Sequence, residues 1–142
     1  MTQQAIDDII LRALAEDAPW GDITSEAFLP ASARATATLV PREPGILSGI
    51  EVFGRVFSHV DPDVTVELGA VDGSAFEPGT VLARVEGSAH SVLRAERIAL
   101  NLGQRMSGIA TLTARYVEAV VATKARITDT RKTTPGLRIL ER

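Results

Sequence analysis

Asp129-Thr130-Arg131-Lys132-Thr133-Thr134-Pro135-Gly136 is the stretch on which the reading of this chain turns. It follows a short β-type segment, Arg126-Ile127-Thr128, and sets two adjacent cations among hydroxyls before a Pro-Gly turn. Arginine offers a rigid planar fork that matches carboxylate or phosphate, and lysine adds a compact ammonium beside it. Thr130, Thr133 and Thr134 supply hydroxyl donors, and Pro135 suits the first turn of a helix whose N-terminus attracts negative charge. Such a loop is fitted to a small anion bearing carboxylates or phosphates. An isolated Arg-Lys pair at a strand end is also commonly a solvated surface feature, so the motif needs support from the rest of the chain.

Working upstream, a long helix is expected from Ser91 to Met106, capped by Ser88 or Ser91. Ser107-Gly108 punctuates it, and a second helix runs from about Ile109 to Ala122. Helix, short buried strand at Ile127, then helix from Pro135 is how an α/β barrel opens. A complete (β/α)₈ barrel needs ~200 residues or more, so the expectation is the opening unit only. The earlier residues read differently. Ile6, Ile9, Ile10, Ala13 and Leu14 share one helical face, with Thr2 as N-cap and Pro19 and Gly21 ending the segment. Arg34 to Val40 alternates as a strand stopped by Pro41, and Val64 to Leu68 and Val81 to Glu86 are further strands. Ile50, Phe53, Phe57 and Val60 form a second helical stripe. Asp22 and Thr24 are expected to fix a loop, and Trp20 to pack the first helix against the sheet.

Composition excludes several functions. Of 142 residues, 45% are apolar and 23% charged, which is ordinary for a globular domain. The net charge of −3 argues against a general nucleic-acid binder. With no cysteine there is no disulfide framework or thiolate site, and His59 and His90 are too isolated to suggest a metal centre. The acidic, amphipathic start is unlike a signal peptide and no apolar run reaches the ~20 residues of a membrane span. The cytoplasm is the expected compartment.

One helical face carries Arg94, Arg97, Asn101 and Arg105 at steps of three and four. Read alone, it is a solvated face neutralised by Glu96 and Glu118. In order and spacing, however, Glu96-Arg97-Ile98-Ala99-Leu100-Asn101, Ser107-Gly108-Ile109-Ala110-Thr111 and Asp129 to Arg138 closely resemble the quinolinate phosphoribosyltransferases, also called nicotinate-nucleotide pyrophosphorylases (carboxylating). Asp22-Ile23-Thr24 and Gly45-Ile46-Leu47-Ser48-Gly49 extend the resemblance over nearly the whole chain. The family continues for about as many residues again beyond Arg142.

The resemblance implies a fold and a chemistry. The fold is an α+β, open-faced sandwich-like N-terminal domain over residues 1–108, then the first unit of an incomplete α/β (TIM-like) barrel over 109–142. The chemistry is phosphoribosyl transfer from phosphoribosyl pyrophosphate to quinolinate with decarboxylation, giving nicotinate mononucleotide in de novo NAD synthesis. By the same resemblance, Arg97 reaches into the neighbouring subunit's site and binds a carboxylate of quinolinate, with Glu96 structural beside it. Thr130, Arg131 and Lys132 line the substrate pocket, the arginine on the carboxylates and the lysine beside phosphoribosyl pyrophosphate. Asp129 is expected to orient the arginine, and Gly108 to let the chain turn between helices. Mg²⁺ accompanies the phosphoribosyl pyrophosphate through ligands outside this chain, and no residue here is assigned a catalytic role. The expected partners are the two substrates and further copies in a homodimer or higher homo-oligomer, with neither nucleic acid nor membrane. The 142 residues alone are expected to have no turnover. Two alternatives stay open: a fold relative acting on another anionic ring substrate, such as the molybdenum-operon homologues, and a non-catalytic module that dimerises through the long helices.

Overall fold

The computed structural model describes residues 3–142. The chain opens with helix α1 (Gln3–Asp17), which buries Ile9, Ile10 and Leu14 on the predicted stripe. The proposed cap at Thr2 lies outside the described residues. Gly21, at φ +85°, turns the chain after α1. Asp22 then caps a short helix, α2 (Ile23–Phe28), rather than fixing a loop. Its carboxylate accepts from the Ser25 amide at 3.2 Å and the Ser25 hydroxyl at 2.7 Å.

Strand β1 (Arg34–Leu39) is followed by the short β2 (Gly45–Ile46), helix α3 (Ile50–Val60), β3 (Thr65–Leu68), the short β4 (Ala75–Phe76) and β5 (Ala83–Ser88). β5 is the centre of an antiparallel sheet with order β1-β5-β3, pairing Arg34 with Ser88 on one side and Thr65 with Glu86 on the other. Ala83, Val85 and Gly87 are buried while Arg84 and Glu86 are exposed, the period-two alternation of a strand with one covered face. A Cβ on Gly87 would lie 2.7 Å from Val64 Cγ2, so the close approach of that loop requires glycine. β2 and β4 form a separate two-stranded ribbon that the alternation did not announce. Asp72, in the loop before β4, caps α3 from outside by accepting from the Gly49 and Ile50 amides, each at 2.9 Å.

Helix α4 (Ala89–Val120) closes the core against α3 and the sheet. It runs unbroken through Ser107-Gly108, which corrects the expected pair of helices. Glycine inside a helix costs only about 1 kcal/mol against alanine, and two tertiary anchors outweigh it. Ser107 Oγ donates to the Ser48 carbonyl and accepts from the Ser48 amide, both at 3.1 Å, and Thr111 Oγ1 accepts from the Ile46 amide at 2.9 Å. Ser88 holds the N-cap position without a side-chain bond, and Ser91 donates to Asp61 at 2.7 Å instead. Trp20 is 83% exposed; the buried side of α1 and its following turn is filled by Ile9, Ile10, Leu14 and Ala18.

The last segment departs most from expectation. Residues 122–137 form neither helix nor strand, so Ile127 is not in a strand. A strand needs a neighbour for its amides and carbonyls, and among the described residues none lies beside it. The final helix does not begin at Pro135. Gly136 sits at φ +83°, outside helical geometry, and α5 (Arg138–Glu141) starts beyond it.

Candidate functional site

Each cation of the predicted site is exposed, and the structure distinguishes those that are bound from those that are free. Arg131 and Lys132 contribute only main-chain atoms to hydrogen bonds: the Arg131 carbonyl accepts from Arg138 Nη2 at 2.9 Å, and the Lys132 amide donates to Thr130 Oγ1 at 3.1 Å. Their guanidinium and ammonium make no hydrogen bond or ion pair among the described residues, which leaves both available to an anion. Thr133 Oγ1 accepts from Arg138 Nε at 3.2 Å, and Thr134 Oγ1 accepts from Arg105 Nη2. In each case the threonine hydroxyl acts as acceptor, so its proton remains free to donate.

The loop is held to α4 by a charged clasp that no local spacing in the sequence revealed. Arg105 Nε donates to Glu141 Oε1 at 2.7 Å, while Glu141 Oε2 accepts from the Thr134 amide at 2.9 Å. The Thr134 amide, followed by the Arg105 guanidinium, holds the Glu141 carboxyl below the usual glutamate range. These donors join α4 to a loop 29 to 36 residues away. Arg138 ties the loop to α5 from the other side. Arg105 and Arg138 thus shape the loop, and Arg131 and Lys132 are left to face outward.

Arg97 is anchored elsewhere. Its Nε donates to Asp17 Oδ2 at 2.9 Å, at the end of α1. No bond joins it to Thr130, Arg131 or Lys132, and it lies about 12 Å along α4 from Arg105. The arginine face is therefore balanced by Asp17 and Glu141, not by Glu96 and Glu118. Asp129 pairs with Arg142 Nε at 3.0 Å rather than orienting Arg131, and both side chains of that pair are well exposed. Gly108 is a helical residue with open space around its Cα, so it makes no turn.

Clefts open beside the loop and beside α4 among the described residues. One of about 510 Å³ lies between α1 and the end of the loop, lined by Asp8, Arg12, Thr133, Thr134, Gly136 and Arg138. A larger one of about 940 Å³ runs between β1 and α4 and is lined by residues including Leu39, Arg42, Glu96, Gln104 and Arg115. Arg97, Thr130, Arg131 and Lys132 line neither, so neither cleft encloses them. Among the described residues no three histidine, aspartate or glutamate side chains gather as a metal cage. No described helix is long and apolar enough to cross a membrane.

Residues 22–107 match the quinolinate phosphoribosyl transferase N-terminal domain, and residues 109–142 match the corresponding C-terminal domain. The chain belongs to the quinolinate phosphoribosyl transferase family. It is 45% identical over 141 residues to a nicotinate-nucleotide pyrophosphorylase [carboxylating] of Mycobacterium leprae, covering 97% of this chain and 50% of that one. It is 42% identical to quinolinate phosphoribosyltransferase [decarboxylating] 1 of Nicotiana glauca, over 94% of this chain and 38% of the relative. The crystal structure of NadC from Streptococcus pyogenes superposes with a TM-score of 0.93 at 39% identity, over 99% of this chain and 50% of that chain. The chain spans about half the length, or less, of these relatives. The mixed α/β fold with small sheets is thereby shared with solved members of the family.

Proposed function

We propose that the protein carrying this chain transfers the phosphoribosyl group of phosphoribosyl pyrophosphate to quinolinate. The ring nitrogen attacks the anomeric carbon and pyrophosphate leaves. The carboxylate beside the nitrogen then departs as CO₂, and the electron pair left on that ring carbon takes up a proton from solvent to give nicotinate mononucleotide. The observation that carries this reading is the pair of unengaged cations, Arg131 and Lys132, on a loop whose threonines are already fixed by Arg105 and Arg138. Quinolinate brings two carboxylates and the donor brings a phosphate and a pyrophosphate. Fixed cations stabilise that charge where it grows in the transition state.

In this reading Thr130 and Arg131 bind the carboxylates, Lys132 lies beside the donor, and Arg97 serves the site of a second copy in a homodimer or higher oligomer. The roughly 12 Å of helix rise between Arg97 and Arg105 on α4, with no bond between Arg97 and the loop, supports a division of the two between subunits. Mg²⁺ would arrive with the pyrophosphate. This chain gathers no set of carboxylates for it, and magnesium commonly keeps waters and substrate phosphates as ligands, so no step is routed through it here. We read the sheet with one covered face as an open-faced sandwich over residues 1–108, and 109–142 as the first unit of an α/β barrel, with the boundary falling inside α4. The cytoplasm is the compartment we propose.

The test is release of CO₂ and pyrophosphate by the full-length protein supplied with quinolinate, phosphoribosyl pyrophosphate and Mg²⁺. Turnover of a different ring acid but not quinolinate would overturn the substrate; a stable oligomer with no turnover of either would overturn the enzyme. Mixing Arg97→Ala and Arg131→Ala proteins, each impaired at low quinolinate, should restore part of the activity there, because each heterodimer holds one site with both arginines. Failure to complement, with subunit exchange demonstrated, would return both to one subunit.

A further inference from the structure

Helix α1 ends in Glu16 and Asp17, with no basic residue in its last turn. Backbone carbonyls already present partial negative charge at that end, so two carboxylates there break the usual helix electrostatics. A local rule broken in this way calls for a compensating group elsewhere. That group is Arg97, which arrives from a residue 80 positions along the chain and binds Asp17 through Nε. The Asp22 carboxyl lies below its usual range chiefly through the Ser25 hydroxyl and amide, and to a smaller extent through the charge of Arg97.

The choice of Nε has a geometric consequence. A guanidinium held at Nε keeps its two terminal nitrogens in a fixed plane, and those nitrogens make no other bond among the described residues. They are the pair that grips a carboxylate in parallel hydrogen bonds. The Arg97 side chain is 52% exposed and that of Asp17 26%. An ion pair so exposed adds little to stability, so stability alone does not account for the arrangement.

We propose that Asp17 is a positioning residue: it holds Arg97 by Nε so that the terminal fork is preset for a carboxylate of an aromatic dicarboxylic acid. This rests on the reading above in which Arg97 binds substrate. Asp17 also neutralises part of the arginine's charge, which taken alone would weaken an anion, so the sign of the kinetic effect separates orientation from neutralisation.

The experiment uses the full-length protein with quinolinate as the varied substrate. Asp17→Ala should raise KM about tenfold with kcat and melting temperature little changed, whereas Asp17→Asn, which keeps an oxygen for Nε–H, should stay within about threefold of the original. In an Arg97→Ala background, Asp17→Ala should add nothing further. An unchanged or lower KM for Asp17→Ala, with Arg97→Ala clearly impaired, overturns the positioning role and leaves the reading of Arg97 standing. Unaltered kinetics in Arg97→Ala itself overturns both.

Discussion

The block from α1 to the middle of α4 and the chain from there onward are held by different forces. In the first, Ile10, Val56 and Phe57 are almost fully enclosed, and the rings of Phe53 and Phe57 meet at 5.2 Å between centroids. In the second, Leu140 is the one described residue after Met106 that is buried, while Leu112, Tyr116, Val117 and Val121 stay exposed. What holds the cationic loop is Arg105, Glu141 and Arg138. Apolar burial gives the block a stability that no single polar bond decides. The loop depends on a few directional contacts, which leaves its cations unencumbered.

The largest effect should come from breaking the core. Phe57→Ala should cost about 3–5 kcal/mol in urea unfolding, because the cavity lies where α3 meets α4 and the sheet. Ile127→Ala, in the unpaired segment, should stay within about 0.5 kcal/mol. A comparable loss from both would erase the distinction between the two regions.

Next comes ligand binding. On the proposed reading, Arg131→Ala would remove charged hydrogen bonds to substrate worth about 1.5–3 kcal/mol, so KM for quinolinate should rise at least about tenfold in the full-length protein. The melting temperature should hardly move, because the Arg131 side chain supports nothing in the fold. Normal kinetics with a marked loss of stability would reverse that assignment.

The same contrast explains what could be read from the sequence. α1, β1, α3 and β5 declared themselves because their burial is periodic and each is completed by residues nearby in the fold. Ile127 has the character of a strand, but a strand is a property of a pair. Trp20 was expected to pack α1 against the sheet, though Ala18, two residues earlier, takes the buried position. Ser107-Gly108 resembled a break because propensity is local, whereas the bonds to Ser48 and Ile46 that keep α4 continuous are not. Of the site, the adjacent cations Arg131 and Lys132 were legible in the sequence, though not that their side chains stay unpaired in the fold. The Arg105–Glu141 clasp was not, since 36 residues separate its partners. The acid at the end of α1 was a visible signal for the Asp17–Arg97 pair.

A smaller pair of effects sharpens the account of α4. Gly49 lies at φ +86° and a Cβ there would meet Met106 Sδ at 2.5 Å, so Gly49→Ala should destabilise by about 1–2 kcal/mol. Gly108→Ala, in open helix, should stabilise by about 0.5–1 kcal/mol. Destabilisation at Gly108 in the unfolding curve would mean that this position needs glycine for something the chain does not show.

The smallest effect is the pH response of the clasp. Glu141 is depressed in the folded chain, first by the Thr134 amide and then by Arg105, so its stabilising contribution is complete above the ordinary glutamate value. It fades as the pH falls through the lower folded value, loosening the loop on the acid side only. Asp7, lowered first by Arg55 and then by His59, weakens in the same direction but belongs to the α1–α3 contact. The Thr134 amide, 2.9 Å from Glu141 Oε2, reports on the clasp alone. Its NMR shift should titrate with a midpoint below the ordinary value of about 4.3, and that midpoint should rise in Arg105→Gln. In Glu141→Gln the inflection should vanish while the Asp7 titration is retained. A Thr134 midpoint at or above the ordinary value would show the loop free of α4 in solution, and the polar account of this region would fail.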